Sequence, residues 1–175
     1  VEAFKEWTRL YTNYGLPVEY DAANRFRSGE MPLLVADYIL YNTLSVFAPE
    51  IKGQWGFTVV PGVESEDGAV DRSVVSTVTG SVLIRQSEHK QAAWTFMKWW
   101  ASASTQAQYG NNLEAVLGAS ARYAAANTAA LSQLPWTAAE LRVLTAQREA
   151  VRGVPEVPGS YYTTRHLDNA FRRVV

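Results

Sequence analysis

Three short apolar stretches in the first half of the chain limit its fold more than any other feature. They lie at residues 33–36 (LLVA), 55–60 (WGFTVV) and 82–84 (VLI). A brief apolar run is typical of a strand buried on both faces of a sheet. The first run leads directly into Asp37 and then into an uncharged segment, residues 38–47, that has the character of a helix. A strand that feeds a helix through a polar residue indicates an α/β fold.

Helical periodicity dominates the remainder of the chain. Shorter helices are predicted at residues 104–109, before Gly110, and at 119–126, and a capping box at residues 137–140 (TAAE) opens a helix that is predicted to reach Gly153. A last helix is predicted from about Thr163, after the proline-rich link at residues 154–159 (VPEVPG). Two helices carry apolar stripes predicted to face a core, namely Phe4, Trp7, Tyr11 and Tyr14 in the first, and Ala93, Phe96, Met97 and Trp100 in the helix that follows Ser87.

The order of elements predicts one domain over residues 1–175. It divides into a helical lead-in (1–30), a βα core (31–101) and a helical half (102–175), and the chain length suits a single domain. The chain starts at Val1 without a leader-like segment, and both ends give the impression of a cut. We therefore expect this chain to be the C-terminal portion of a longer protein.

Several classes of chemistry have no sequence support. The net charge of −1 argues against binding to nucleic acid, and the absence of cysteine excludes thiolate metal sites and a cysteine nucleophile. His89 and His166 stand far apart, and neither phosphate-binding glycine loops nor a G-x-S-x-G motif occurs. We accordingly expect no metal, no cofactor and no catalytic residue.

The aromatic content is the feature that points to binding. Six Trp, nine Tyr and six Phe are present, and Tyr and Trp combine a flat apolar face with a polar edge that suits stacking on sugar rings. Aromatic residues at helical spacing are predicted to lie in the core. Tyrosines that follow a predicted strand end or the Pro-Gly link either pack or contact a ligand, and they are Tyr38, Tyr41, Tyr161 and Tyr162.

The order of motifs resembles the C-terminal part of family 1 extracellular solute-binding proteins, the family that includes maltose-binding protein. The similarity runs from about Arg25 onward, although a proline usual in the family is missing near Ala119 and Ser120. The matching segments are FRSGE (26–30) before the run at Leu33, WGFTVVPG (55–62), TGS (79–81) before VLI, AAWTFMKWW (92–100), QAQY (106–109), LGASAR (117–122) and VPEVPGSYY (154–162).

The resemblance implies a lobe of a type II periplasmic-binding-protein-like fold with a helical C-terminal half. It implies capture of a solute, an oligosaccharide in many members, for delivery to the membrane permease of an ABC importer by Venus-flytrap closure, without catalysis. It further implies a monomer at the cell surface, held by a lipid anchor upstream of this chain. Ile39 stands about where maltose-binding proteins have a Trp, so maltodextrin specificity is not implied.

Carried over by position, the resemblance nominates nine ligand-binding residues. Asp37 is a candidate acceptor for sugar hydroxyls and also a candidate cap for the helix that follows it. Two alternative functions stay open, a carbohydrate-active enzyme domain and a receptor for a non-sugar solute such as a peptide or polyamine. The nominated residues are Asp37, Tyr38, Tyr41, Thr79, Gly80, Ser81, Tyr161, Tyr162 and Arg165.

Overall fold

The structure, a computed structural model, describes residues 1–154 and 156–175. Pro155, in the predicted proline-rich link, lies outside the described residues. Helices, including two 3-10 turns, make up 51% of the described residues and strands 5%, so the fold mixes helices with small sheets. The helices are α1 (Glu2–Thr12), α2 (Ala22–Arg27), α3 (Leu40–Phe47), α4 (Lys90–Trp100), α5 (Ala103–Leu117), α6 (Thr128–Leu131), α7 (Ala138–Glu149) and α8 (Ser160–Val174), and the strands are β1 (Val63–Glu64), β2 (Val70–Asp71), β3 (Val74–Val75) and β4 (Val151–Arg152).

The chain divides into two bodies, of which the first contains residues 1–32 and 154–175. Its centre is an aromatic contact between α1 and α8. Trp7 stacks on Phe171 with 4.3 Å between the ring centroids, and Tyr11 meets Phe171 edge to face at 5.0 Å. The predicted stripe on α1 is confirmed for its first three residues, whereas Tyr14, beyond the helix, is 72% exposed.

The second body contains residues 33–153, and its core lies among α5, α6 and α7. Ala107, Leu131, Leu134 and Leu144 are buried there. The predicted end of a helix before Gly110 is wrong, because α5 continues through this residue to Leu117. A Cβ at Gly110 would lie 2.5 Å from Leu134 Cδ2, so the glycine lets the helix approach its neighbours rather than ending it.

Four other helix predictions have different outcomes. The helix after Asp37 is confirmed as α3, and the capping box at Thr137 is confirmed as the start of α7, which ends at Glu149 rather than at Gly153. The predicted helix at 119–126 is wrong, because only a 3-10 turn at Ala119–Ala121 forms. On α4, Phe96 of the predicted buried stripe is 58% exposed, because the helix packs mainly through Trp100, whose ring meets Tyr109 at 5.1 Å.

The three predicted strands are also wrong. Residues 33–36, 55–60 and 82–84 have no strand structure, and Leu33 and Val82 are 88% and 87% exposed. The strands that do form are two residues long, with β1 antiparallel to β2 and β3 parallel to β4. An apolar run becomes a strand only beside a partner strand, and the described residues supply none at these places.

Candidate functional site

A cavity of about 590 Å³ opens in the second body beside helix α3. Tyr41 reaches it from α3, while Trp55 and Phe57 come from the extended segment after the 3-10 turn Pro49–Ile51. Arg122, which follows the turn Ala119–Ala121, and Glu140, in the first turn of α7, add charged groups to its wall. The volume lies in the usual range for sites that bind small molecules.

Tyr41 is the centre of the aromatic cluster at this cavity. Its ring meets Trp55 at 5.4 Å, Phe57 at 5.8 Å and Trp136 at 5.1 Å, with interplanar angles between 62° and 83°. These are edge-to-face arrangements, in which the positive edge of one ring meets the negative face of another. These contacts hold two separate parts of the chain, the segment of Trp55 and Phe57 and the residue Trp136, around Tyr41 of α3 and fix the shape of the wall.

Arg122 forms an ion pair with Glu114 and also contacts the aromatic cluster. Its Nε and Nη2 donate to the two carboxylate oxygens of Glu114 at 2.9 and 2.7 Å, and both side chains are largely buried. The guanidinium carbon also lies 4.7 Å from the centroid of Trp136 and 5.3 Å from that of Tyr41, within the range of cation–π attraction. The hydrogen bonds to Glu114 raise the pKa of Arg122, so its charge is permanent.

Asn42 connects helix α3 to the same place. Its Nδ2 donates to the carbonyl oxygen of Arg122 at 2.9 Å, although the two residues are 80 positions apart in the chain. The amide is buried, and a hydrogen bond made away from water holds its partners firmly. Tyr41 and Arg122 therefore keep a fixed spacing.

Glu140 supplies the negative charge at the cavity. Its Oε2 accepts hydrogen bonds from the backbone N–H and the hydroxyl of Thr137, which completes the capping box. Burial raises the pKa of Glu140, but its interactions with the Tyr41 hydroxyl and with Thr137 outweigh burial and leave the pKa below its ordinary value. For Tyr41, burial first and then Glu140 raise the pKa. At neutral pH the wall thus presents a carboxylate beside an intact phenol.

Two of the nominated ligand residues meet at this cluster. Tyr41 lines the cavity, and Tyr38 contacts Trp136 edge to face at 6.2 Å. Burial raises the pKa of Tyr38, with Arg148 acting in the opposite direction. Asp37 lies one position before Tyr38 and is exposed. Its predicted side-chain cap is absent, since Ile39 precedes α3 without one, and the Asp37 carbonyl accepts from Leu40 N–H instead.

The other nominated residues lie elsewhere. Thr79, Gly80 and Ser81 are exposed in an extended segment of the second body that has no regular structure. The remaining three, Tyr161, Tyr162 and Arg165, lie at the start of α8 in the first body and are exposed. The rings of Tyr161 and Tyr162 meet edge to face with 5.6 Å between their centroids.

Sequence reasoning missed most of the cavity wall. Trp55 and Phe57 had been assigned to a strand, and Glu140 was recognised only as part of a capping box. Arg122 was seen only as the last residue of the matching segment LGASAR and was not nominated, because its partners Tyr41 and Asn42 lie about 80 positions away and Glu114 lies eight residues back. The capping box itself placed Glu140 correctly at the start of α7.

No family model, curated protein or solved structure matches the chain. Within residues 1–154 and 156–175, no three His, Asp or Glu side chains are grouped so that they could hold a metal ion. Among the described helices, none has both the length and the apolar character needed to span a bilayer.

Proposed function

We propose that this chain is the C-terminal portion of a bilobal extracellular solute-binding protein and that its solute is an oligosaccharide. The observation that carries the proposal is the cavity of about 590 Å³ in which Tyr41, Trp55 and Phe57 stand beside Arg122 and Glu140. This combination of flat apolar walls and a few fixed polar groups is what a sugar requires. Tyr41 is also one of the residues that the resemblance nominates for ligand binding.

The chemistry of the wall suits a neutral, hydroxyl-rich ligand. A sugar ring offers C–H groups on its faces, which pack against Trp or Tyr, and hydroxyls at its edge. The Glu140 carboxylate accepts hydrogen bonds from hydroxyls, and Lys52 at the rim donates them. Arg122 is neutralised by Glu114, so the lining has no large excess of one charge.

The same wall favours binding over hydrolysis. Most glycoside hydrolases need two carboxyl groups that face each other across the scissile bond, about 5–9 Å apart. Glu140 is the one carboxyl among the residues that line the cavity in the described part of the chain. Glu114 lies nearby but is committed to Arg122 through both of its oxygens. We therefore place solute capture ahead of a carbohydrate-active enzyme.

Delivery of the solute is the second part of the proposal. A lobe of the type II periplasmic-binding-protein-like kind closes on its ligand by a hinge, and the closed form is the one that an ABC importer's permease would receive. The location at the cell surface and the upstream lipid anchor belong to this proposal and rest on the resemblance of the motifs.

A thermal-shift screen tests the choice of solute class. The chain is heated with malto-, xylo-, cello- and galacto-oligosaccharides, with a mixture of short peptides and with spermidine. A ligand at one hundred times its Kd stabilises the folded state by about 2.7 kcal/mol, which raises Tm by about 5–10 °C for a chain of this size. We expect this shift with one oligosaccharide class. A shift with peptides or spermidine alone, or no shift with any sugar, would overturn the assignment.

A further inference from the structure

The part of the cavity wall that carries Trp55 and Phe57 has no secondary structure of its own. Residues 55–62 form neither a helix nor a strand, and the backbone groups of residues 56–59 make no hydrogen bond with the backbone of another described residue. A strand would be held in place by the ladder to its neighbour. Here the position of the wall has to come from side chains and from the ends of the segment.

Ring contacts hold the side chains of this segment. Trp55 and Phe57 meet the Tyr41 ring with 5.4 and 5.8 Å between the ring centroids, and Phe57 also packs against the buried core of the second body. These contacts place the rings but give the main chain no hydrogen-bond partner. Main-chain groups away from water need such partners, and the structure supplies them at Val60.

Gln147 closes a ring of three hydrogen bonds at the end of the segment. The Val60 N–H donates to Gln147 Oε1 at 2.8 Å, and Gln147 Nε2 donates to the Arg72 carbonyl oxygen at 3.1 Å. Arg72 Nη1 in turn donates to the Val60 carbonyl oxygen at 2.6 Å. The Gln147 amide offers the same kinds of donor and acceptor as a peptide group, so it replaces the neighbouring strand that the segment lacks.

The two side chains that hold Val60 come from connected parts of the second body. Gln147 lies in the last turn of α7, and Arg72 lies between β2 and β3. Strand β3 pairs with β4, which follows α7, and the Val74 N–H donates to the Ala150 carbonyl oxygen. The hydrogen bond from Val60 to Gln147 is partly buried and joins residues 87 positions apart, and a bond shielded from water holds its partners more firmly.

Helix α7 presents Gln147 on the side that serves the cavity. Glu140 and Val143 of this helix line the cavity, and Gln147 follows Glu140 by seven residues, which is two helical turns along the same face. Gln147 does not itself belong to the lining in the described part of the chain. It therefore acts on the wall through Val60.

We propose that Gln147 is a positioning residue for the candidate cavity, whose amide holds the main chain at Val60 and thereby keeps the aromatic wall at residues 55–57 in place. The inference rests on the proposed function, because the ligand concerned is the solute that binds against these rings. A wall that is in place before binding reduces the conformational entropy lost when the complex forms. Loss of the Gln147 amide therefore weakens binding without removing a group that touches the solute.

Hydrogen exchange on the whole chain, read by mass spectrometry, tests the role of Gln147 without any ligand. Gln147→Leu removes both side-chain hydrogen bonds and keeps a good helix propensity. We expect exchange in peptides that cover residues 56–60 to become at least about fivefold faster, the effect of one lost hydrogen bond, with exchange in α5 unchanged. Gln133→Leu is the matched control and should behave as wild type, since the exposed Gln133 amide bonds only to the Ala129 carbonyl four residues away.

A binding measurement separates positioning from a merely structural role. With the oligosaccharide selected by the thermal-shift screen, calorimetry should give a Kd at least about threefold weaker for Gln147→Leu than for wild type. Gln147→Glu keeps an acceptor for the Val60 N–H but lacks a donor for the Arg72 carbonyl at neutral pH. Its Kd and its exchange at residues 56–60 should lie between those of wild type and Gln147→Leu.

Unchanged exchange at residues 56–60 in Gln147→Leu would overturn the proposal, as would faster exchange with an unchanged Kd. If Gln147→Leu does not fold, Arg72→Met removes the bond to the Val60 carbonyl from an exposed side chain and has to produce the same local acceleration and loss of affinity. If wild type binds no oligosaccharide, the proposed function fails, and the exchange result alone decides whether Gln147 holds the wall.

Discussion

Arg122 and Glu114 form a two-pronged ion pair beside the candidate cavity, with donor–acceptor distances of 2.9 and 2.7 Å. Their side chains are only 10% and 16% exposed, so neither charge has ready access to water. The pair holds the guanidinium carbon 4.7 Å from the ring centroid of Trp136, while the Arg122 carbonyl accepts a hydrogen bond from Asn42. Through these contacts Arg122 connects α3, α5 and the turn that precedes it.

Replacement of Arg122 by Met should destabilise the second body by about 2–4 kcal/mol, because it leaves the Glu114 carboxylate buried without a partner. Arg122→Lys keeps the charge but loses the planar fork, so its loss should be smaller but still measurable. Urea unfolding followed by tryptophan fluorescence reports both values.

The exposed pair Glu6–Arg9 provides the control for this experiment. Its N–O distance of 2.8 Å is similar, but both side chains are about half exposed or more. Arg9→Met should leave the urea midpoint almost unchanged, because water and salt screen exposed ion pairs. Equal effects of the two substitutions would contradict the role assigned to Arg122.

Substitution of Gly110 by Ala should destabilise the second body despite the better helix propensity of alanine. The new methyl group would lie 2.5 Å from Leu134 Cδ2 and 3.1 Å from Tyr123 Cβ, and overpacking of this kind costs about 1–3 kcal/mol. Gly153→Ala is the matched control, since a Cβ there meets nothing within 4 Å. A stabilised Gly110→Ala chain in thermal melts would show that α5 does not approach its neighbours so closely.

Glu140 should make stability depend on pH in the acid range. Its pKa in the folded chain is lowered, so its contribution is fully present above the unfolded value of about 4.3 and is lost as pH falls through the folded value. Wild type should be more stable than Glu140→Gln at pH 7, and this difference should shrink below about pH 4. A difference that stays constant between pH 7 and pH 3 would contradict the ionised state of Glu140.

The sequence predicted those parts of the molecule that depend on neighbours close in the chain. Helix α3, the stripe of Phe4, Trp7 and Tyr11, and the capping box at Thr137 follow from local spacing, and all appear in the structure. Gly110 was misjudged because a glycine ends a helix in most contexts and permits a close approach in others. Only the positions of Leu134 and Tyr123 distinguish the two cases.

The strands and the cavity depend on distant contacts, and there local patterns were insufficient. Residues 82–84 have the composition of a buried strand but no partner among the described residues. Arg122 reaches the cavity because Asn42 and Glu114 fix it there, and no short-range signal marks either contact. Tyr41 was nominated as a ligand-binding residue from its position after the first apolar run. Trp55 was assigned to a predicted strand and was not nominated.

The most direct test of the proposal that this cavity binds an oligosaccharide is an isothermal titration of the chain, in a calorimeter, with the oligosaccharide selected by thermal shift. The comparison is between wild type, Trp55→Leu at the cavity wall and Trp94→Leu at an exposed position of α4, 49% exposed. We predict that Trp55→Leu weakens binding at least about tenfold, the loss of about 1.4 kcal/mol expected when a stacking platform is removed. Trp94→Leu should bind as wild type does. Binding that survives Trp55→Leu unchanged in a folded chain would contradict the account, as would an equal loss in both variants.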